Sequence, residues 1–238
     1  MLQELKKELQ KLANPTKAKL YQKFFKTGKG EYGEGDVFLG ITVPVQRQVV
    51  KKYQGMNFKE LSFLLKSKVH EHRLVALLIL VNQYKRGYLK TKVERKEIFD
   101  FYLDNIDYIN NWDLVDLSAP NIVGSFLCNK DYEQYIPILF NLARSKNVWH
   151  RRSSVLACFA FIKENDFKEA LKIAEILLND NHDLIHKAVG WMLREVGKKN
   201  QNVEEEFLKK HYKQMPRTML RYAIEKFSEN KRKFYMKK

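Results

Sequence analysis

The sequence contains little cysteine and no long apolar run, and both shortages narrow the classes of protein that it can encode. Its 238 residues include only two cysteines, Cys128 and Cys158, in apolar stretches where buried thiols of a reducing cytoplasm are expected. No CxxC spacing or Cys/His cluster indicates zinc. No apolar stretch approaches the roughly 20 residues that a membrane-spanning helix needs. The charged, amphipathic start MLQELKKELQKL is unlike a signal peptide. We therefore expect a soluble, cytoplasmic protein without a metal or other cofactor.

Acidic residues are also scarce relative to basic ones. Lys and Arg outnumber Asp and Glu by 44 to 28, which gives a formal net charge of +16. The basic tail KRKFYMKK, residues 231–238, supplies five positive charges, and a net charge of +11 remains without it. The basic character therefore belongs to the folded body and favours a polyanionic partner, nucleic acid first. An anionic membrane surface and a merely solvated basic surface are the alternatives.

Patterns typical of β-strands are missing, and helical periodicity dominates the chain. Apolar residues recur at intervals of three and four rather than two, from LQELKKELQKL near the start to PRTMLRYAIEK near the end. Pro44 is expected to open one helix, Gly87 to end another, and Pro120 to kink a third. The glycine-rich loop 26–43 holds five of the ten glycines but no phosphate-binding motif. We predict a single all-α domain over residues 1–238.

The helices also repeat. HRLVALLILV, RRSSVLACFA and HKAVGWMLRE each consist of a basic pair followed by an apolar run, and RTMLRYAIEK resembles them. A period of about 35 to 40 residues with two helices per unit predicts an α-solenoid of HEAT-like repeats with a concave basic face. An irregular helical bundle is the alternative.

Two stretches bring aromatic and charged residues onto one helix face. Trp112 and Asp116 lie four residues apart in NNWDLVD, while Lys187 and Arg194 flank Trp191 in HKAVGWMLREVGK. Either stretch could be ordinary core packing beside solvated charges. The alternative is a site where rings pack a ligand and a carboxylate meets a positive charge. For the third tryptophan, Trp149, core packing is the favoured interpretation.

The sequence resembles the AlkD-type DNA alkylation repair glycosylases, a family built from HEAT-like repeats. The resemblance runs from about Tyr21 to Lys226, and its most specific pieces are FLGITVPVQR, NNWDLVDLSAP, VWHRRSSVLA, HKAVGWMLREVGK and MPRTMLRYAIEK. It implies hydrolysis of the N-glycosidic bond of cationic N3- or N7-alkylated purines in duplex DNA. Asn111 stands where some members carry another aromatic residue. The loop after Tyr21, which matches an aromatic residue near the site, is longer than is usual for the family.

The resemblance also implies roles for individual residues. Asp116 matches the catalytic aspartate, and Trp112 and Trp191 match the two active-site tryptophans. Arg152 matches an arginine that contacts DNA, Arg194 a second arginine nearby, and Arg47 a further backbone contact. Arg151 and Lys187 are added as DNA-binding residues because they belong to the repeated basic pairs. Asp113 is the rival carboxylate, expected instead to interact with the helix N-terminus.

We therefore predict a metal-independent, monofunctional DNA glycosylase that is monomeric and acts away from membranes. A cationic alkylpurine is already a good leaving group, so the reaction needs a carboxylate to support positive charge on the sugar more than it needs a general acid. The alternative is a non-catalytic HEAT-repeat protein that binds nucleic acid or serves as a protein scaffold.

Overall fold

The computed structural model describes residues 1–85 and 92–237, so the predicted helix stop at Gly87 lies outside the described residues. Fifteen α-helices and no β-strand occur in these ranges, which confirms the all-α class. One parallel β-bridge, between Val37 and Val69, is present. No helix in the described ranges has the length and apolar character needed to cross a membrane.

The chain divides into two compact units, Met1–Ser118 and Ala119–Lys238. The single domain over 1–238 stays a prediction. The helices of the first unit are, in chain order, α1 (Leu2–Lys11), α2 (Pro15–Phe24), α3 (Val43–Val50), α4 (Phe58–Leu65), α5 (His70–Lys85), α6 (Lys92–Asp104) and α7 (Trp112–Ser118). Those of the second unit are α8 (Ser125–Leu127), α9 (Pro137–Ala143), α10 (Val148–Lys163), α11 (Lys168–Ile176), α12 (Asp183–Lys199), α13 (Gln201–His211), α14 (Arg217–Ala223) and α15 (Glu229–Met236). Short 3-10 helices cover Ile106–Tyr108, Lys130–Tyr135 and Ile224–Lys226.

Helix α5 forms the centre of the first unit. Its apolar residues from Leu74 to Val81 are all buried, and α3, α4 and α7 pack around it. A helix that is apolar on every side is stable only when neighbours cover it completely. Even the polar residues of its first turn, His70 and Arg73, are buried, so this end of α5 requires polar partners inside the unit.

The loop between α2 and α3 is non-helical, as predicted, and α5 holds it in place. The Glu71 carboxylate accepts hydrogen bonds from the backbone N–H groups of Leu39, Gly40 and Ile41, at 2.9, 2.8 and 3.2 Å. Gly40 has φ +81°, and a Cβ there would lie 2.2 Å from the carbonyl oxygen of Asn14. Only glycine fits this close approach. Pro44 lies in the first turn of α3, as expected.

Pairs of helices stack along the second unit. Helix α10 packs on α9 and α12, while α12 packs on α13 and α14. The starts of α10, α12 and α14 are separated by 35 and 34 residues, which agrees with the predicted period. The basic pairs of the sequence repeat lie near the N-terminal ends of α5, α10 and α12, so the repeated pattern corresponds to equivalent helix starts.

Pro120 interrupts its helix, as the sequence predicted. Helix α7 ends at Ser118, and Pro120–Gly124 forms a π-helical segment before α8 begins. Trp149 is 6% exposed and belongs to the core, which confirms the core interpretation. Cys158 is buried, Cys128 is half-buried, and both are free thiols.

The region of the basic tail forms a helix for which the sequence analysis made no prediction. Residues 229–236 form α15, and Tyr235 is only 3% exposed. Tyr235 packs edge-on against Tyr212 and Phe227, at ring-centre distances of 5.4 and 5.8 Å. The high density of lysine concealed this single apolar anchor in the sequence.

Candidate active site

Helix α7 begins at Trp112, and the buried side chain of Asn111 fixes this end of the helix. Oδ1 of Asn111 accepts a hydrogen bond from the backbone N–H of Trp112 at 2.8 Å. Its Nδ2 donates to Oδ2 of Asp36 at 3.3 Å. A phenylalanine at this position could form neither bond. Asn111 therefore connects the start of α7 to the loop between α2 and α3.

The ring of Trp112 is held by an aromatic cluster at the end of α2. It stacks on Phe25, with ring centres 5.2 Å apart and planes 15° apart, and it meets Phe24 edge-on at 5.9 Å. Phe25 in turn stacks on Phe38 at 4.9 Å. Trp112 remains partly exposed. The cluster fixes its orientation while part of the indole stays accessible.

Asp113 belongs to a chain of charged groups that the sequence did not reveal. Its Oδ2 lies 2.8 Å from Nε2 of His70, whose Nδ1 lies 3.1 Å from Oδ2 of Asp36. Arg73 completes the chain by donating to the same Asp36 oxygen at 2.6 Å. The His70 side chain is 2% exposed, and those of Asp36 and Arg73 are 5% exposed.

The pKa values of His70 and Asp36 favour the charged form of each side chain. Burial alone lowers the pKa of His70, but Asp113 and Asp36 outweigh it, so the pKa lies above its ordinary value of 6.5. Burial alone raises the pKa of Asp36, but the bonds to His70 and Arg73 bring it below its ordinary value. We infer that the imidazolium form of His70 is favoured where its two ring nitrogens meet Asp113 and Asp36.

The contacts of the charged groups distinguish the two aspartates of α7. Asp113 binds His70 through one oxygen and accepts the backbone N–H of Leu114 through the other, at 2.9 Å. Asp113 therefore makes the expected interaction with the N-terminus of α7, and it also binds the imidazole of His70. Asp116 is half-buried on the same helix, one turn after Trp112.

In the second unit, the indole of Trp191 lies beside a carboxylate. Its indole N–H donates to Oε1 of Glu195 at 3.0 Å, and its ring lies 6.3 Å from that of Phe159. Lys198 also binds Oε1 of Glu195, at 2.7 Å. Gly190 allows α14 to approach here, because a Cβ would lie 2.4 Å from the carbonyl oxygen of Met219.

Arg151 and Arg152, at the start of α10, both make bonds within the second unit. Nε of Arg151 donates to Oδ2 of Asp180 at 2.6 Å, and its Nη1 donates to the carbonyl oxygens of Ser145 and Lys146, both at 2.9 Å. Arg152 is 5% exposed and donates to the carbonyl oxygen of Leu184 at 2.6 Å. Both arginines therefore have structural roles, and their contact with DNA stays a prediction.

The remaining predicted DNA-binding residues differ in their surroundings. Lys187 pairs with Asp183 at 2.6 Å, with 40% of its side chain exposed. Arg194 pairs with Glu225 and lies 3.7 Å from Glu195. Arg47 is exposed on α3, and no ion pair joins it to another residue of the described ranges.

The structure places the predicted site residues in two groups. Trp112, Asp116 and Arg47 lie in the first unit, and the other five predicted residues lie in the second. Sequence reasoning missed His70, Asp36, Glu195 and Asp180, which hold the site residues in place. No group of three or more His, Cys, Asp or Glu side chains within 1–85 and 92–237 is arranged to hold a metal ion.

Comparisons with known proteins agree with this arrangement of helices. The family described as DNA alkylation repair enzyme matches residues 5–227. A predicted DNA alkylation repair enzyme from Enterococcus faecalis has a similar structure, with a TM-score of 0.69 and 18% identity over 91% of this chain and 97% of the other. AlkD2 from Streptococcus mutans gives a TM-score of 0.56 and 20% identity over 89% and 97%. No match is found among curated proteins.

Proposed function

Because the chain belongs to the DNA alkylation repair enzyme family, we propose that it is a DNA glycosylase for cationic N3- or N7-alkylated purines in duplex DNA. Water attacks C1′ of the damaged deoxyribose, and the bond between C1′ and the purine nitrogen breaks. The bonding electrons leave with the purine, which departs as the uncharged alkylated base. The attacking water loses a proton, and the sugar keeps a hydroxyl group.

In this proposal Asp116 is the catalytic group. As the glycosidic bond breaks, positive charge develops on the sugar, and a preorganised carboxylate stabilises that charge. The same carboxylate can accept the proton of the attacking water. Trp112 lies one helical turn before Asp116 on α7, and stacking on Phe25 fixes the orientation of its indole. Trp191 is proposed as the second aromatic group of the site.

The observation that carries this assignment is the engagement of Asp113. Its two oxygens bind the buried His70 and the backbone of α7, so its charge is already compensated within the fold. A carboxylate that is neutralised by an imidazolium is a poor stabiliser of a second cation. Asp116 lies on the same helix, one turn after Trp112, with its side chain partly exposed.

The positive charge of the protein supports duplex DNA as the partner. The net charge of +16 favours binding to phosphates through counterion release. We propose that Arg47 and Lys187 contact the backbone most directly, because their side chains are the more exposed. Arg151, Arg152 and Arg194 are proposed as further DNA-binding residues, on the stacked helices of HEAT type in the second unit. The proposal includes no cofactor and a monomeric, cytoplasmic protein.

Release of free base tests this function. The protein is incubated with a duplex that contains one 7-methylguanine, and the released base is quantified by chromatography with and without a chelator. We expect release of 7-methylguanine, an abasic site in the DNA, and equal rates in both conditions. Binding to the duplex without any release would favour the non-catalytic alternative. Loss of release with the chelator, restored by one metal, would contradict the metal-independent mechanism.

A further inference from the structure

A polar cavity of about 240 Å³ opens in the first unit, between the loop after α2, the segment that joins α4 to α5, and the residues just before α7. Three basic side chains line it, those of Lys66, Lys68 and Arg73, together with Tyr108 and Asn110. Its volume lies below the range of about 300–1,000 Å³ that is typical of pockets for drug-sized ligands. The cavity therefore brings several hydrogen-bond donors together around a space for a small group.

The two carboxylates that also line the cavity are already engaged within the fold. Oδ2 of Asp36 accepts a hydrogen bond from Nη2 of Arg73 at 2.6 Å and lies 3.1 Å from Nδ1 of His70. Oε2 of Glu34 accepts the backbone N–H of Gly30 at 2.8 Å. Asp36 is thus compensated by buried partners, and the lining keeps an excess of positive charge, with three basic side chains against two carboxylates.

Lys66 and Lys68 supply that excess at the surface. Both side chains are exposed, and no ion pair joins either of them to another residue in the part of the chain that the structure describes. Nζ of Lys66 lies 5.5 Å from the centre of the ring of Tyr108, another residue of the lining. This cation–π contact steadies the ammonium group at the cavity wall without neutralising it.

Arg73 has an unused donor at the cavity. Its side chain is 5% exposed, with Nη1 donating to the carbonyl oxygen of Ser67 at 3.1 Å and Nη2 donating to Asp36. Nε is buried and has no hydrogen-bond partner among residues 1–85 and 92–237, and the same is true of Oδ1 of Asn110. A buried guanidinium N–H without an acceptor costs stability, so a ligand that brings an acceptor into the cavity is favoured.

We propose that this cavity binds a phosphate group, which belongs either to the backbone of bound DNA or to a small phosphorylated molecule. Phosphate oxygens accept hydrogen bonds from Nε of Arg73 and from the ammonium groups of Lys66 and Lys68. The amide of Asn110 can turn its NH2 group toward the same anion. The site itself does not depend on the proposed glycosylase activity, and only a DNA source of the phosphate rests on duplex DNA being the partner.

Binding of inorganic phosphate by the whole protein tests the cavity without DNA. The variant Lys66→Gln/Lys68→Gln removes both surface charges from the lining, and Lys7→Gln/Lys11→Gln, at exposed positions on α1, removes the same charge away from it. Calorimetry at low ionic strength is expected to show saturable binding by the wild type. We expect the affinity to fall about tenfold in Lys66→Gln/Lys68→Gln, because bonds to a charged ligand are lost, and by less than about twofold in the control. Both variants change exposed residues, so their melting temperatures are expected to stay near that of the wild type.

The absence of saturable phosphate binding by the wild type would overturn the proposal. So would an unchanged affinity in Lys66→Gln/Lys68→Gln, or an equal loss in Lys7→Gln/Lys11→Gln, because the binding would then reflect diffuse attraction to a protein of net charge +16. Should the double variant melt early, Lys68→Gln alone is the second test, with an expected loss of about threefold.

Affinity for undamaged duplex over a salt series distinguishes the two sources of the phosphate. If the phosphate belongs to DNA, Lys66→Gln/Lys68→Gln is expected to reduce the slope of log affinity against log salt by about 0.9 more than Lys7→Gln/Lys11→Gln does. A slope equal to that of the control, together with lost phosphate binding, assigns the cavity to a small phosphorylated molecule. Failure of the glycosylase proposal is seen separately, as a protein that binds phosphate in this cavity but releases no 7-methylguanine.

Discussion

Nε2 of His70 lies 2.8 Å from Oδ2 of Asp113, where the imidazole is 2% exposed. Asp113→Asn leaves a buried imidazolium with one carboxylate fewer, and removal of one partner from a buried pair typically costs about 3 kcal/mol. We expect urea unfolding to show a loss near this size. Asp104→Asn, at an exposed position in the same unit, is expected to change stability by less than about 0.5 kcal/mol. Equal stabilities of the two variants would contradict the buried ion pair.

The stabilisation by the pair of His70 and Asp113 is expected to depend on pH. The pKa of His70 is raised above 6.5 in the folded protein, so its stabilisation is fully present below that pH and is lost as the pH rises through the folded-state pKa. The difference in unfolding free energy between wild type and Asp113→Asn is therefore expected to shrink in alkaline buffer. A difference that stays constant from mildly acidic to alkaline pH would mean that His70 does not gain its proton from this contact.

Glu204 gives a second pH-dependent prediction, in the second unit. Burial, and then the charge of Glu205, raise the pKa of Glu204 from 4.5 to about 8. The stabilisation is present below pH 4.5 and is lost as the pH rises through about 8, because the unfolded chain ionises first. We expect Glu204→Gln to flatten this slope and to raise stability in alkaline buffer by up to about 3 kcal/mol. Glu206→Gln, on the exposed side of α13, is the control. A slope unchanged by Glu204→Gln would assign the pH dependence to other groups.

The close packing of α12 on α14 at Gly190 leads to a prediction for stability. A Cβ at this position would lie 2.4 Å from the carbonyl oxygen of Met219 and 2.6 Å from Cβ of Tyr222. We expect Gly190→Ala to lower the unfolding free energy by about 1–3 kcal/mol. Gly55→Ala is the control, because its nearest contact would be Cε of Met1 at 3.8 Å. If both variants melt alike, the two helices do not pack as closely as described.

Replacement of Arg47 is expected to change DNA binding, whereas replacement of Arg152 is expected to change stability. Arg47 is exposed, so Arg47→Ala is expected to leave stability unchanged and to reduce the slope of log affinity for duplex DNA against log salt by about 0.9. Arg152→Ala removes a buried donor to the carbonyl oxygen of Leu184 and is expected to cost about 1–3 kcal/mol of stability. Filter binding over a salt series and thermal melting give both quantities. An unchanged slope for Arg47→Ala would remove this residue from the DNA contact.

Much of the helical arrangement could be predicted, because helix periodicity is a local property. The repeated pattern HKAVGWMLRE, residues 186–195, lies within α12, and the effect of Pro120 follows from a missing N–H and a ring clash. Helix α15 was missed because only Tyr235 is buried in it, and one buried residue produces no periodicity.

The partners of the site residues were not predictable in the same way. Asp36 and His70 are 34 residues apart, and Arg151 and Asp180 are 29 apart, so only the folded chain brings each pair together. Nothing in the sequence separates a basic residue that reaches solvent from one that binds an internal carboxylate. Arg73, which binds the carboxylate of Asp36, and Arg152, which binds the carbonyl oxygen of Leu184, are both buried, although each belongs to a repeated basic pair.

Single-turnover release of 7-methylguanine by Asp116→Asn tests the central claim most directly. The substitution keeps the shape of the side chain and removes its charge, and loss of one preorganised electrostatic group costs about 3 kcal/mol in the transition state. We predict that release slows by roughly 10²-fold or more, while the melting temperature and the affinity for undamaged duplex stay near the wild-type values. Near-normal release by a folded, DNA-binding Asp116→Asn protein would contradict the account.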